Sequence, residues 1–374
     1  MHGGDIYNND VDIDFSVNLN PYHMMCLKGL VNGPAAEYVA SGYREAVRRG
    51  LEGADHYPEA DQGSLREVLS EAEGVEAGSI YAGCGASQLL KSAVQSISPR
   101  KVLIPRPCFS GYEHALKAVK NCHVMEYGLK EEDDFALTEE FADKLTDDLD
   151  LIIVADPDNP AGKNIDEKVL TCLLNRARDL DIWVILDESF LMISDKYQYL
   201  SGLEGGPGMR TAHMTDEYKK LYMVRSYTKS FALPGIRMGH IISRPENIER
   251  VIKELPEWNL PALSEAVMKR CALLSKDPSY YSASLDMIRR ERSFMEEGLA
   301  RMGFRVIKGN SLFLLFNGPA GLYEWLLAQK ILIRRCEDMI KGHEGRAWYR
   351  VGIRNREDNE RLIDEIGKFP ARGE

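Results

Sequence analysis

The chain has 374 residues, of which 44% are hydrophobic and 28% are charged, and its net charge is −11 at pH 7. This length exceeds what one hydrophobic core usually holds, so we expect two packed domains. Lysine and arginine are dispersed rather than clustered, and the longest apolar runs are too short to cross a bilayer. These features argue against nucleic-acid and membrane partners.

The N-terminus and the cysteines bear on the compartment. The first residues, Met1 to Tyr7, have neither a basic nor an apolar region, so they do not form a signal peptide. The 7 cysteines are scattered and never form a C-x-x-C pair. This pattern favours reduced thiols over disulfides or a zinc site. The sequence therefore predicts a cytoplasmic protein without a structural metal.

Strand-like and helix-like stretches alternate through the middle of the chain. A helical pattern covers residues 166–177, and several of the apolar runs lack polar alternation, as strands buried on both faces do. This order predicts an α/β fold with a mostly parallel sheet sandwiched by helices, and ligands at the carboxyl ends of its strands. The apolar runs are residues 101–105, 123–127, 149–155, 182–186 and 221–226.

After about residue 245 the pattern of the sequence changes to a long helical segment followed by shorter strand-like runs. We expect one long helix over residues 263–302, four shorter strands and a final helix through residues 359–363. The four strands are expected at residues 304–307, 311–316, 331–335 and 348–353. The sequence thus predicts a large domain over residues 46–260 and a smaller α/β domain over residues 261–374, with residues 1–45 packing beside the small domain.

A short stretch from Ser226 to Gly239 carries the clearest chemical signal. Lys229 stands between hydroxyl-bearing residues, and a Pro-Gly turn and Arg237 follow it. A lysine amine can bond to an aldehyde cofactor, while hydroxyls and a guanidinium can hold that cofactor's phosphate. For an isolated lysine, an exposed loop position would be the better interpretation. The flanking residues and the partners described next favour pyridoxal phosphate (PLP).

Two polar residues follow predicted strands and could contact such a cofactor. Asp187 comes directly after the run 182–186, where a carboxylate can pair with a pyridine nitrogen and so make the ring an electron sink. An isolated aspartate there is more often a helix N-cap. Asn159 follows the run 149–155 and could donate to the phenolate oxygen of the cofactor. The alternative is ordinary turn chemistry, because Asn, Pro and Gly cluster in loops.

Further candidates have weaker signals. The segment Gly83 to Gln88 precedes a helical run, and such a turn favours a phosphate, although no Gly-Lys-Ser/Thr follows as in a P-loop. Phe109 could stack on a pyridine face or belong to the core. Arginine suits bidentate binding of carboxylate or phosphate, and three arginines in or beside the late strands are equal candidates. They are Arg334, Arg350 and Arg354.

These residues occur in the order and spacing of a known group. Over nearly its whole length the chain resembles the fold-type I PLP enzymes, the aspartate aminotransferase superfamily, on the basis of Lys229, Asp187, Asn159, Arg237 and the loop 83–87. Within it, the chain is most similar to histidinol-phosphate aminotransferases and threonine-phosphate decarboxylases.

Four details favour the decarboxylase branch, which serves cobalamin synthesis. They are the opening His2-Gly-Gly with the segment 14–21, the proline in the turn 233–237 where aminotransferases tend to have alanine, Phe190 where they have a tyrosine, and the C-terminal segments 331–336 and 349–354 with 359–362. The resemblance implies decarboxylation of L-threonine O-3-phosphate to (R)-1-amino-2-propanol O-2-phosphate. The alternatives are a histidinol-phosphate or related aminotransferase and a binding module of the same fold without catalysis.

The resemblance also implies roles for individual residues and a homodimer with sites at the subunit interface. The PLP phosphate would be held by Ala86, Ser87, Ser226 and Arg237, with Thr228 nearby and Tyr57 reaching the partner's cofactor. The carboxylate and phosphate of the substrate would be held by Arg350 and Arg334, with His2 and Asn18 helping at the phosphate. The chain departs from the family pattern at Cys84, Asp156, Asp158 and Ala161.

Overall fold

A computed structural model describes residues 3–340 and 346–370 of the chain. The strands are β1 (Ile13–Asp14), β2 (Ile80–Cys84), β3 (Lys101–Arg106), β4 (His123–Gly128), β5 (Leu151–Ala155), β6 (Trp183–Asp187), β7 (Leu221–Arg225), β8 (Met238–Ile242), β9 (Arg305–Ile307), β10 (Phe313–Pro319), β11 (Ile331–Leu332), β12 (Arg334–Arg335) and β13 (Arg346–Gly352).

The helices lie between these strands, and the last helix follows β13. They are α1 (Pro21–Leu27), α2 (Pro34–Glu52), α3 (Gly63–Glu73), α4 (Ala86–Ile97), α5 (Gly111–Leu116), α6 (Glu139–Ala142), α7 (Glu167–Asp179), α8 (Asp195–Ser201), α9 (Gly206–Glu217), α10 (Tyr227–Ser230), α11 (Pro245–Ile252), α12 (Ala262–Leu274), α13 (Pro278–Arg301), α14 (Leu322–Ala328) and α15 (Arg356–Gly367). Among the described residues, no helix combines the length and apolarity that crossing a bilayer requires.

The largest sheet has seven strands in the order β2-β8-β7-β6-β5-β3-β4. Strands β3 to β7 run parallel, and β8 runs antiparallel to both of its neighbours. The predicted fold class is therefore confirmed, and the five apolar runs form β3 to β7. The sequence analysis missed β2 and β8, because glycine and a cysteine or histidine interrupt their apolar pattern.

Each inner strand of this sheet packs on both faces. In β5, Ile152 and Val154 belong to one core cluster, whereas Leu151 and Ile153 belong to the other. Successive side chains of a strand point to opposite faces, so a strand that is apolar throughout contributes to two cores at once. This explains why the runs in the sequence lack polar alternation.

The C-terminal part forms a four-stranded antiparallel sheet, β12-β13-β10-β9, and a parallel pair, β1-β11. The expected strand over residues 331–335 is thus two short strands in different sheets. Phe15 from the N-terminal segment packs in the core cluster of this part. The domain boundaries given above stay a prediction.

The single long helix expected over residues 263–302 is wrong. The structure has α12 and α13 instead, with a break between Leu274 and Pro278. Proline lacks the N–H that a helix interior needs, but it suits the first helical position. The Asp277 side chain accepts a hydrogen bond from the Ser279 N–H and so caps α13. The apolar residues keep a helical spacing on both sides of the break, so periodicity alone does not reveal it.

Candidate active site

A cavity of about 210 Å³ lies where β5, β6 and β7 end. It brings together eleven residues expected from the sequence, which come from distant parts of the chain. These are Asn18, Ala86, Ser87, Phe109, Asn159, Asp187, Ser226, Thr228, Lys229, Arg237 and Arg350. A concave site with a few convergent polar groups at this edge of a parallel sheet is typical of ligand binding.

Lys229 lies on the short helix α10, which directly follows β7. Burial lowers the pKa of its amine to about 8, and the nearby positive charges of Arg350 and Arg237 act in the same direction. A lysine in such an environment is partly neutral near neutral pH. The amine can therefore act as a nucleophile or as a base.

Asp187 ends β6 and points into the cavity with both carboxylate oxygens occupied. The Tyr112 hydroxyl donates to Oδ2 at 2.9 Å, and the Ser189 backbone N–H donates to Oδ1 at 3.0 Å. Burial raises the pKa of Asp187, while these two donors oppose that rise. A cation in the cavity would stabilise the charged carboxylate further, so the site suits a protonated pyridine nitrogen.

An anion cradle lies at the start of α4. Ala86 and Ser87 open this twelve-residue helix, whose N-terminal N–H groups and dipole favour an anion. Arg237 approaches from the other side with φ 61°, a left-handed conformation. Gly85 has φ 81°, and a Cβ there would lie 2.7 Å from Arg237 Nη2. The glycine therefore makes room for the guanidinium, as a phosphate site requires.

The hydroxyls of Ser226 and Thr228 flank this cradle. Both line the cavity, and both donate to the Met238 carbonyl, at 3.4 Å and 3.1 Å. A hydroxyl that donates to the backbone keeps its lone pairs for another donor, and it can also rotate to donate to an anion. The two residues can thus complete a phosphate site.

Arg350 of β13 hydrogen-bonds to two other segments of the chain at the cavity. It donates to Asn159 Oδ1 at 2.6 Å and to the Ser16 carbonyl at 2.7 Å. Because Asn159 Oδ1 accepts this bond, its amide nitrogen is the group that remains to donate to a ligand. Burial lowers the pKa of Arg350 to about 10, and the neighbouring charge of Arg334 contributes. The guanidinium remains charged at neutral pH.

Two buried polar atoms at the cavity have no hydrogen-bond partner among the described residues. They are Asn18 Oδ1 and Arg350 Nε. Buried polar groups are rarely left unpaired, and an orphan at a cavity indicates a missing ligand. The amine, the carboxylate and the anion cradle fit PLP. The Arg350 Nε–H is a donor that fits an acidic group of a substrate, whereas Asn18 Oδ1 is an acceptor and fits a donor group.

Three other sequence candidates lie outside this cavity. Arg334 is buried beside Arg350 in register and pairs with Asp338 at 2.6 Å. Arg354 pairs with Asp358 at 2.7 Å. Tyr57 is exposed and packs on Trp258, with ring centroids 4.6 Å apart. His2 lies outside the described residues.

The sequence analysis missed several residues of the cavity wall, among them Tyr112, Ser189, Phe190 as a lining residue, and Gly3 with Ser16. Tyr112 follows Phe109 by three residues, and the two rings meet edge to face at 5.7 Å. No local pattern marks a tyrosine as the partner of a carboxylate 75 residues away. Only the packing of α5 against the end of β6 brings the two groups together.

Comparisons with known proteins agree with this geometry. The model of the family "Aminotransferase class I and II" matches residues 53–366. A threonine-phosphate decarboxylase of Salmonella typhimurium is 29% identical over 97% of this chain and 94% of its own length. Histidinol-phosphate aminotransferase 2 of Archaeoglobus fulgidus is 27% identical over 95% and 92% of the two chains.

A solved structure has the same fold as this chain. The histidinol-phosphate aminotransferase of Clostridium acetobutylicum superposes with a TM-score of 0.78 at 25% identity, covering 95% of this chain and 98% of that one. The chain therefore belongs to the aminotransferase class I and II family, and its cofactor is pyridoxal phosphate.

Proposed function

We propose that this protein decarboxylates L-threonine O-3-phosphate to CO₂ and (R)-1-amino-2-propanol O-2-phosphate, a reaction of cobalamin synthesis. The observation that carries this choice is that Phe190 lines the cavity. By the resemblance described above, aminotransferases have a tyrosine at this position. The similarity to a decarboxylase across almost the whole chain supports the choice. We also propose a homodimer in which Tyr57 reaches the partner's site.

The proposed substrate is a small dianionic amino acid ester, and the cavity supplies cationic and polar groups for it. We assign Arg350 to an acidic group of the substrate, because this residue lines the cavity with Asn18 and its buried Nε has no hydrogen-bond partner among the described residues. We also propose Arg334, the register neighbour of Arg350, as the second cation for the other acidic group, which it would reach by giving up its pair with Asp338 outside the cavity. His2 keeps its proposed role at the phosphate.

The chain's own groups have distinct roles in the proposed reaction. Bound PLP supplies a conjugated ring that accepts the electron pair of the bond that breaks at the substrate Cα. Asp187 would pair with the positive charge on the ring nitrogen, and Asn159 would donate to the phenolate oxygen. The anion cradle would hold the phosphate and so anchor the cofactor in the cavity. Once CO₂ has left, Lys229 delivers a proton to Cα.

Product analysis tests the proposal directly. The PLP-loaded protein is incubated with L-threonine O-3-phosphate and no keto acid, and the products are identified by mass spectrometry. We expect aminopropanol phosphate and one CO₂ for each substrate consumed. In Lys229→Ala, turnover should fall by several orders of magnitude, since the amine that bonds the cofactor and carries the proton is gone. Full activity of this variant would refute the assignment of Lys229.

The second candidate is a histidinol-phosphate or related aminotransferase, which the Archaeoglobus relative and the Clostridium structure favour. The same residues would serve, but the Cα–H bond would break, with Lys229 as the base. One fold supports both outcomes, because the scaffold does not decide which bond is cleaved. Turnover that appears only with histidinol phosphate and 2-oxoglutarate would move the protein to this branch.

A further inference from the structure

At the ends of three neighbouring parallel strands, the side chains form one row on each face of the sheet. Ala155, Asp187 and Val224 are register partners on β5, β6 and β7, and all three line the cavity. The residue that follows each of them points to the opposite side of the sheet, because side chains alternate along a strand. This second row carries charge and is buried throughout: Asp156, Glu188 and Arg225.

The second row is bound into ion pairs with one another and with helices behind the sheet. Arg225 Nη2 lies 2.7 Å from Glu188 Oε2, and Arg225 also pairs with Glu73 at the end of α3. Arg210 of α9 reaches the other oxygen of Glu188 at 2.7 Å. Lys196 of α8 pairs with Asp156. Ion pairs therefore connect the helices α3, α8 and α9 to the ends of the strands.

One further residue makes these pairs continuous. Glu167 Oε1 at the start of α7 lies 2.6 Å from Lys196 Nζ and 3.4 Å from Arg210 Nε. The whole set, called here the ion-pair chain, consists of Glu73, Asp156, Glu167, Glu188, Lys196, Arg210 and Arg225. It runs behind the sheet from the end of α3 to the residue that follows β5.

Burial makes the central pair of this chain rigid. Arg225 donates from Nε to Glu188 and from Nη2 to the Thr211 hydroxyl, each at 2.8 Å, and it also donates to Glu73. A planar guanidinium with all its sides engaged has one orientation only. Buried charges cannot exchange these partners for water, so neither Arg225 nor Glu188 can shift without losing them.

Backbone hydrogen bonds at the strand ends connect the charged residues to the residues that line the cavity. The Glu188 N–H donates to the Val224 carbonyl at 2.8 Å, and the Asp156 N–H donates to the Asp187 carbonyl at 2.9 Å. Glu188 is the chain neighbour of Asp187, and Arg225 is the chain neighbour of Ser226. A displacement of either charged residue therefore moves a residue of the cavity wall.

We propose that Glu188 and Arg225 are positioning residues, whose ion pair fixes Asp187 and Ser226 in the geometry that holds the cofactor. The proposal rests on the roles proposed above for Asp187 and Ser226. Its competitor is a purely structural role, in which the pair stabilises the fold and leaves the cofactor site unaffected. The two differ in what happens to ligand affinity in the fraction of protein that remains folded.

The test measures binding of pyridoxine 5′-phosphate to the protein freed of PLP, by calorimetric titration. This probe has an alcohol in place of the aldehyde, so its affinity reports the ring and phosphate contacts alone. Glu188→Gln is compared with Glu291→Gln. Both glutamates are 1% exposed, and Glu291 pairs with Arg356 away from the cavity.

We expect the dissociation constant to rise about tenfold in Glu188→Gln and to stay at the wild-type value in Glu291→Gln, since small misplacements at a site cost affinity steeply. Both variants should unfold at lower denaturant concentration. Equal affinities in all three proteins would overturn the proposal. If Glu188→Gln does not fold, Arg225→Lys keeps the charge but loses the planar contacts to Glu188 and Thr211, and it should show a smaller rise. An unchanged affinity in that variant would equally overturn the proposal.

A parallel variant separates this inference from the proposed site. Asp187→Asn removes the charge that faces the cofactor ring and should weaken binding of the same probe. If Asp187→Asn weakens binding and Glu188→Gln does not, the site stands and the positioning role fails. If Asp187→Asn binds as tightly as the wild type, the proposed role of Asp187 fails and the inference fails with it.

Discussion

Tyr112 shows how one neutral hydroxyl can tune a buried carboxylate. Its O–H donates to Asp187, and burial raises the pKa of the tyrosine well above its usual value of 10, so it remains a donor at every working pH. Since Asp187 is nearly as buried, it depends on protein donors to carry its charge. Tyr112 therefore belongs to the cofactor site although it makes the contact through Asp187.

Tyr112→Phe should weaken PLP binding. A hydrogen bond to a charged group contributes about 1.5–3 kcal/mol, which corresponds to a loss of about 10- to 150-fold in affinity. Equilibrium dialysis of the cofactor-free protein with PLP measures the change. Tyr222→Phe is the matched control, because Tyr222 is fully buried and its hydroxyl bonds to Ser96 and the Asn247 carbonyl instead. The same loss in both variants would contradict the prediction.

The depressed pKa of Lys229 has a consequence for stability. Its folded pKa is about 8, below the value of 10.5 for a free lysine, so the unfolded chain binds more protons between these pH values. The free energy of unfolding of the cofactor-free wild type should therefore rise with pH across this window, by about 3 kcal/mol relative to Lys229→Met. Denaturant titrations of both proteins at pH 7 to 10 measure the difference. A constant difference would show that the amine is not perturbed.

At the residue scale, the sequence indicated the groups to which we assign the chemistry but not those that contact them from behind. Lys229, Asp187 and Arg237 stand next to turns and strand ends, where type and position together indicate a role. Tyr112 and Glu188 act through packing between elements far apart in the chain, and no local spacing encodes that packing. For the same reason, nothing in the sequence favoured Arg350 over Arg334 for the cavity.

The junction between β2 and α4 is the element on which the anion cradle depends. Gly85 has φ 81° and ψ 162°, a region almost confined to glycine. Its hydrogen also leaves room for Arg237, which lies where a Cβ would point. The glycine pattern of the sequence thus predicted a phosphate turn, and the structure adds the steric reason for the glycine.

Gly85→Ala should lose affinity for PLP as well as stability. The backbone conformation alone costs a non-glycine residue about 1–3 kcal/mol, and the new methyl group displaces the Arg237 guanidinium. Gly29→Ala is the control, since Gly29 also has a positive φ of 68° but a Cβ at this position would have no neighbour within 4 Å. Denaturant titration measures the stability of both variants, and titration with PLP measures their affinity for the cofactor. We expect only Gly85→Ala to bind PLP more weakly.

Among the elements, the parallel strands β3 to β7 were predictable, and β2 and β8 were not. Strands β3, β5, β6 and β7 are apolar runs whose two faces are buried, whereas β4 lies at the edge of the sheet and is only partly buried. Strands β2 and β8 contain Gly83, Gly239 and His240, whose small or polar side chains serve close packing and buried contacts. The break between α12 and α13 depends on Asp277 and Pro278, a start signal that a smooth apolar pattern concealed.

At the scale of the whole molecule, the N-terminal segment ties the two large sheets together. Strand β1 pairs with β11, Phe15 packs in the C-terminal core, and Asn20 reaches the segment that carries Lys229. The Asn20 N–H donates to the Lys229 carbonyl at 3.0 Å. Its side chain donates to the Ser230 carbonyl at 2.9 Å. This residue is fully buried and links segments more than 200 positions apart.

Asn20→Ala should lower the free energy of unfolding by about 1–3 kcal/mol, because the Ser230 carbonyl and the Tyr280 and Ser284 hydroxyls lose the bond from its amide and keep only their other contacts. Asn8→Ala is the control, since Asn8 bonds to Asp5 at an exposed site. Urea denaturation followed by circular dichroism measures both variants. Equal stability of Asn20→Ala and the wild type would show that water replaces these contacts.

The antiparallel course of β8 has a consequence for how the active site responds to motion. Because β8 starts where β7 ends, Ser226, Thr228, Lys229 and Arg237 belong to one short excursion of the chain between paired strands. Arg350 instead belongs to the four-stranded sheet. A hinge between the two sheets would carry Arg350 towards or away from the amine and leave the residues around the phosphate in place. With Arg350 at the substrate, as proposed, substrate release would then not loosen the cofactor.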